Sequence, residues 1–158
     1  MSEIVKTDME TLYPLIESVV SGGGSVKIKV TGYSMYPLIS SHRDSVVLTK
    51  AEKIKKGDVP LYRRENGEYI LHRLVGEKDG AYKARGDYEQ KIEYPVYPNQ
   101  VVAVATGFYR KGRYISCDSV LYKLYKVFWM NTAWLRPFFL KVIAIIVCKK
   151  KKKIKKEC

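Results

Sequence analysis

Histidine is scarce in this chain: 158 residues contain two, His42 and His72. Cysteine is nearly as rare, and Cys117, Cys148 and Cys158 are odd in number and lack metal-ligand spacing. Neither a disulfide framework nor a zinc site is indicated, so no metal and no cofactor is expected. A phosphate-cradling loop is also missing, because Gly22-Gly23-Gly24 lacks the lysine and hydroxyl partners such loops use. The first twenty residues carry Glu3, Asp8, Glu10 and Glu17 and hold no long apolar run. They read as neither an export signal nor a membrane span. Acidic residues are outnumbered, 16 against 29 lysines and arginines, for a formal net charge of +13.

Against these absences, two residues carry chemistry. Ser34 stands in Thr31-Gly32-Tyr33-Ser34-Met35-Tyr36-Pro37, and His72 in Ile70-Leu71-His72-Arg73-Leu74. A serine hydroxyl is a weak nucleophile unless a neighbour removes its proton during attack, and an imidazole of ordinary pKa about 6.5 suits that task. His42, in the polar stretch Ser40-Ser41-His42-Arg43-Asp44, reads as a solvated loop position.

The surrounding motifs resemble the superfamily of serine peptidases that joins type I signal peptidases and self-cleaving phage and SOS repressors. Ser34-Met35-Tyr36-Pro37 looks like its Ser-Met-x-Pro nucleophile box, Gly57-Asp58-Val59 like its Gly-Asp-hydrophobic box, and Leu71-His72-Arg73 like its base box. Gly86-Asp87 looks like the start of its Gly-Asp-Asn box, and the apolar run Val101 to Ala105 follows. Most bacterial members use lysine as the base; His72 places the resemblance closest to the endoplasmic-reticulum-like branch. The resemblance implies a Ser34/His72 pair, with Asp87 the candidate to orient the imidazole. As a bare sequence feature, Gly86-Asp87 has the alternative reading of a simple turn pair.

Three departures from the pattern stand out. Gly32 occupies the place where many signal peptidases carry a small hydroxyl residue that helps hold the oxyanion, so backbone N–H groups, that of Ser34 first, would have to serve. Tyr88 replaces the asparagine after Gly-Asp. Pro60 interrupts what is usually a continuous strand after Gly57-Asp58-Val59.

The expected fold is mainly β: a signal-peptidase-like antiparallel β-domain over 25–116, preceded by a short helix and glycine hinge over 1–24. An amphipathic membrane-interface helix over 117–148 and a polybasic tail over 149–158 complete the chain. Strand patterns occur at Val26 to Val30, Ser45 to Leu48, Leu61 to Arg63, Tyr69 to His72, Tyr82 to Ala84 and Val101 to Ala105. Asn66-Gly67 between two of them is a hairpin signal that brings His72 in on the return strand. Asp79-Gly80 marks a second hairpin. Thr7-Asp8-Met9-Glu10 has the form of a capping box, opening a helix with apolar face Leu12, Leu15, Ile16, Val19 and Val20. Pro14 should kink or delay that helix.

The last ten residues hold seven lysines against Glu157, almost half of the excess charge. Before them, Val127 to Cys148 is largely apolar but interrupted by Asn131, Arg136, Pro137 and Lys141. Charges near the centre of a span are costly, about 2.5 to 3.5 kcal/mol each. At helical spacing, Leu124, Val127, Phe128, Trp134, Leu135, Phe138, Phe139, Val142 and Ile146 form one face, and Lys123, Lys126, Arg136 and Lys141 the other. Such a segment suits the interface of an anionic membrane, although the same face could pack on the β-domain.

These features lead to a serine endopeptidase that cuts precursor or leader peptides at the membrane, its catalytic domain on the cytoplasmic face. One alternative is a catalytically inactive peptide- or membrane-binding module of the same fold. Another is a repressor-type regulatory protease, for which barely thirty residues precede Ser34, too few for a helix-turn-helix domain. Nucleic acid is not expected as a partner, since no stacking platform interleaved with basic residues is evident in the β-region.

Overall fold

The computed structural model describes residues 9–132 together with 138, 141 and 142. The fold is mainly β, an antiparallel curled sheet with a short N-terminal helix and a C-terminal helix. Helix α1 (Met9–Ser21) is followed by β1 (Val26–Lys29), β2 (Ser45–Thr49), β3 (Pro60–Arg63), β4 (Tyr69–Leu71), β5 (Arg73–Lys78), β6 (Ala81–Arg85) and β7 (Glu93–Val96). Then come β8 (Val101–Arg110), β9 (Arg113–Ser116) and α2 (Val120–Asn131), with a 3₁₀ turn just before β8.

β8 is the spine of the larger sheet, whose order is β1-β2-β8-β3-β4, with β9 also paired to β8. One half of this ten-residue strand pairs β3 through Leu61↔Ala103, the other β2 through Val46↔Phe108. Strands β5, β6 and β7 form a second antiparallel sheet. β3 separates two cores. Leu61 points into the main one with Val46, Leu48, Val59, Ala103 and Phe108, and Tyr62 into a smaller one with Leu74, Ala84 and Val96. Alternate residues of a strand face opposite ways, so the consecutive buried run Pro60-Leu61-Tyr62 marks a strand covered on both faces.

The Asn66-Gly67 hairpin forms as expected: Leu61↔Leu71, Tyr62↔Ile70 and Arg63↔Tyr69 pair, and Gly67 takes φ +88° at the turn. Pro60 does not break a strand but begins one, where its missing N–H costs least. β5, β7 and β9 were not among the expected strands, and Asp79-Gly80 turns the β5–β6 hairpin.

α1 ends at Ser21, where the Gly22, Gly23 and Gly24 N–H groups take up its last carbonyls. Its buried face is Tyr13, Ile16 and Val20 with Leu12 packed beside them, whereas Leu15 is 59% and Val19 45% exposed. Leu12, Ile16 and Val20 of the expected face therefore pack inward, and Tyr13 takes the place expected for Leu15 and Val19, its ring stacked on Tyr69 at 3.4 Å between centroids. Thr7 and Asp8 of the capping box lie outside the described residues.

Ser119 caps α2, its hydroxyl accepting from Tyr122 N–H at 3.3 Å. Tyr122 and Trp129 are buried, while Val120, Leu121, Leu124 and Val127 are exposed. No helix among the described residues is long and apolar enough to cross a membrane. Most of the expected interface helix beyond Thr132, and the whole lysine tail, lie outside the described residues.

Candidate active site

Ser34 is carried by the long connection between β1 and β2. Met35 and Ile39 plunge into the main core, and Ser34 between them and the exposed Tyr33 remains partly open to solvent. Asp44 closes the far end of this loop: it is wholly buried and accepts from Ser40 N–H at 2.8 Å, Lys111 N–H at 3.1 Å and the Arg43 guanidinium. Burial alone would raise its pKa, but these donors bring it down to about 2. Arg110 fixes the loop's middle by donating to the Pro37 carbonyl at 3.1 Å.

The nucleophile box and the Gly-Asp pair meet directly. Tyr88 N–H donates to the Ser34 carbonyl at 2.8 Å. At Gly86 an added Cβ would lie 2.6 Å from that carbonyl oxygen. Close approach of one backbone to another therefore demands glycine at 86.

His72 is the single residue between β4 and β5, where the chain leaves one sheet for the other, and it is 3% exposed. Its Nδ1 lies 3.3 Å from the Tyr62 hydroxyl and 3.7 Å from Glu93 Oε2, and its Nε2 lies 3.6 Å from Glu89 Oε2. Burial lowers its pKa below the ordinary 6.5, outweighing Glu89 and Glu93, which push it up. The imidazole is thus neutral at pH 7, the form a general base requires.

Asp87 makes no hydrogen bond to His72 among the described residues. Its oxygens accept from Arg73 Nε and Nη2, both at 2.8 Å, and from the Tyr125 hydroxyl at 3.0 Å. Arg73 and Asp87 are each about 1% exposed, a buried bidentate pair. Arg73 also donates to the Gly57 carbonyl at 2.9 Å and to the Tyr122 hydroxyl at 3.1 Å. Gly57 N–H in turn donates to the Leu74 carbonyl at 2.8 Å, and Leu74 N–H to the Asp58 carbonyl at 2.9 Å. Four motifs distant in sequence are joined here, with α2 docked on the pair.

A cavity of about 430 Å³ opens beside Ser34. The first and last strands of the order β1-β2-β8-β3-β4 reach it, β1 through Ile28 and Lys29 and β4 through Tyr69, Ile70 and Leu71, and Tyr13 and Glu89 are also in its lining. Glu89 thus borders the serine's cavity and faces the imidazole. No hydrogen bond joins Ser34 to His72 among the described residues. His42 stays outside the site, exposed at φ +59° in its turn.

Sequence reasoning missed Tyr62, Arg64, Glu89 and Glu93. Tyr62 was within reach: the hairpin register pairs it with Ile70, so it lies diagonal to His72 on the same face, within the range of an aromatic side chain. Glu89 and Glu93 arrive on the connection after β6 and on β7, and nothing local marks them. Arg73 was visible only as a letter of the base box. Among the described residues no cluster of His, Cys, Asp and Glu could hold a metal ion. Burial pushes the Cys117 thiol up to about 11, away from the reactive range.

No family model, curated protein or solved structure matches the chain.

Proposed function

We propose that this protein is a serine endopeptidase of signal-peptidase-like type, working at a membrane surface on precursor or leader peptides. The observation that carries the reading is the convergence around Arg73: the Ser34 loop is clamped to Gly86 and Tyr88, Asp87 beside them pairs with Arg73, and Arg73 adjoins His72 and reaches Gly57. Residues that resemble four separate boxes of one peptidase pattern build one locality, as a shared site requires.

In this reading Ser34 Oγ attacks the scissile carbonyl carbon while His72 takes its proton. The imidazolium then returns that proton to the leaving amine as the C–N bond breaks, and water releases the acyl part from Ser34. The Ser34 N–H is the first candidate oxyanion donor; it donates to no protein group among the described residues. Catalytic hydrogen bonds often tighten only with substrate bound, so closure of Ser34 onto Nε2 belongs to the complex. β1 and β4 are edge strands bordering the cavity, and an extended peptide would pair with such an edge.

Membrane attachment is assigned to α2 and the sequence after it. Tyr122 and Trp129 hold the helix to the domain, which leaves Leu121, Leu124 and Val127 facing outward at 71%, 64% and 57% exposure. The seven lysines of the tail make an anionic lipid surface the matching partner.

The test is a survey of new protein N-termini in cells expressing the wild type, Ser34→Ala or His72→Ala, with membrane and soluble fractions separated. The reading expects cuts that need both residues and that concentrate in the membrane fraction. Identical termini in all three would contradict it and favour a binding module, and cuts confined to the outer face would contradict a cytoplasmic placement.

A further inference from the structure

The hydrogen bonds behind His72 dictate which ring nitrogen carries the proton. A tyrosine hydroxyl has one hydrogen to give, and Tyr62 gives it to Glu93 Oε2 at 2.8 Å. The contact of 3.3 Å between that hydroxyl and His72 Nδ1 must then run the other way, from Nδ1–H to the tyrosine oxygen. Nε2 is left with its lone pair.

The chain of donors does not end at Glu93. Arg64 grips both of its oxygens, Nε to Oε1 and Nη2 to Oε2, each at 2.7 Å. That bidentate grip keeps the carboxylate ionised and its pKa below the usual range, with the Tyr62 hydroxyl as a further donor. Glu93 itself lies 3.7 Å from Nδ1, beyond a hydrogen bond, so the hydroxyl is the link. Tyr62 is wholly buried and cannot swing away. Arg64 and Tyr62 come from the β3 end of the hairpin and Glu93 from β7, so the relay spans both sheets and meets at the residue where the chain crosses between them.

We infer that Tyr62 and Glu93 are positioning residues that hold neutral His72 as its Nδ1–H tautomer, making Nε2 the proton acceptor. The consequence for catalysis rests on the peptidase reading proposed above, but the tautomer does not. The groups facing the imidazole are Tyr62 and Arg64 from β3 and its turn, Asp87 and Glu89 from the connection after β6, and Glu93 from β7. Asp87 is committed to Arg73 and Tyr125, and Glu89 stands 3.6 Å from Nε2, beyond a hydrogen bond, so the orienting role falls to Tyr62 and Glu93.

The test is nitrogen NMR of the full chain labelled with ¹⁵N-histidine, with His42→Gln to assign the His72 signals. At pH above 7 the account expects a protonated Nδ1 and an unprotonated Nε2 in the wild type. Tyr62→Phe should shift the population toward the other tautomer, and Glu93→Gln, which removes a charge that favours imidazolium, should lower the His72 pKa. An Nε2–H tautomer in the wild type overturns the inference, and this measurement needs no variant of the relay to fold. A Tyr62→Phe chain that keeps the Nδ1–H tautomer overturns it as well. If Ser34-dependent cleavage exists, Tyr62→Phe should slow it at least about tenfold. The expected tautomer without any such cleavage supports the relay while removing the peptidase reading.

Discussion

Replacing Asp87 by asparagine separates two roles for this residue. As an orienting partner of the imidazole it would be dispensable for folding; as the partner of Arg73 it is not. Both side chains are about 1% exposed, and Asp87 accepts two hydrogen bonds from the guanidinium at 2.8 Å and one from Tyr125 at 3.0 Å. Asparagine keeps one acceptor and turns an NH₂ group toward a donor. Arg73 is then a buried cation without a counter-charge, a change that costs about 3 to 5 kcal/mol. At about 2 to 4 °C per kcal/mol for a chain of this size, the melting temperature should fall by roughly 6 to 20 °C. Thermal unfolding followed by circular dichroism measures it. The double variant Arg73→Met/Asp87→Leu, which removes both charges, should lose less than Asp87→Asn alone. An Asp87→Asn protein that melts within about 2 °C of the wild type would refute the argument.

Other expectations follow from the same geometry. Gly86→Ala puts a methyl group 2.6 Å from the Ser34 carbonyl and should cost about 1 to 3 kcal/mol, whereas Gly76→Ala, whose Cβ meets only Lys83 at 3.9 Å, should be near neutral by urea denaturation. His72 has a folded pKa lowered by burial, so the unfolded chain binds its proton more readily; the stability it confers is present above about pH 6.5 and lost as pH falls below that. Denaturation curves from pH 7.5 to 5 should show this slope in the wild type and lose it in His72→Gln. Cosedimentation with vesicles containing anionic lipid should weaken about tenfold for each of Leu121→Ser and Leu124→Ser, and should weaken further with added salt.

The fold was legible where local chemistry decides it. Asn66-Gly67 announced its hairpin, and β-branched runs announced β1, β2 and β8, because a tight turn and a pleated apolar face leave marks within a few residues. β7 and β9 left weaker marks: Glu93-Tyr94-Pro95-Val96 carries a proline, and Arg113 to Ser116 is mostly exposed. On α1, five apolar positions fit more than one stripe, and burial of Tyr13, Ile16 and Val20 against the sheet, with Tyr13 stacked on Tyr69, selects one of them. At the site, Ser34 and His72 stood out by residue type and motif. The surroundings of His72 did not, because Glu93 reaches it through the pairing of β7 with β6 and Glu89 from the connection between them, and no local pattern encodes either. Asp87 was noticed for its motif, yet its partner is Arg73, the neighbour of the residue it was expected to orient.

The proposal that Ser34 is a nucleophile activated by His72 can be tested most directly by transfer of an acyl group. The purified chain would be incubated with an activated short-chain acyl ester, quenched in acid and mapped by mass spectrometry. The expected result is an adduct on Ser34 that Ser34→Ala abolishes and that forms at least about a hundredfold more slowly in His72→Gln. No adduct on Ser34, or one that forms equally fast without His72, would contradict it.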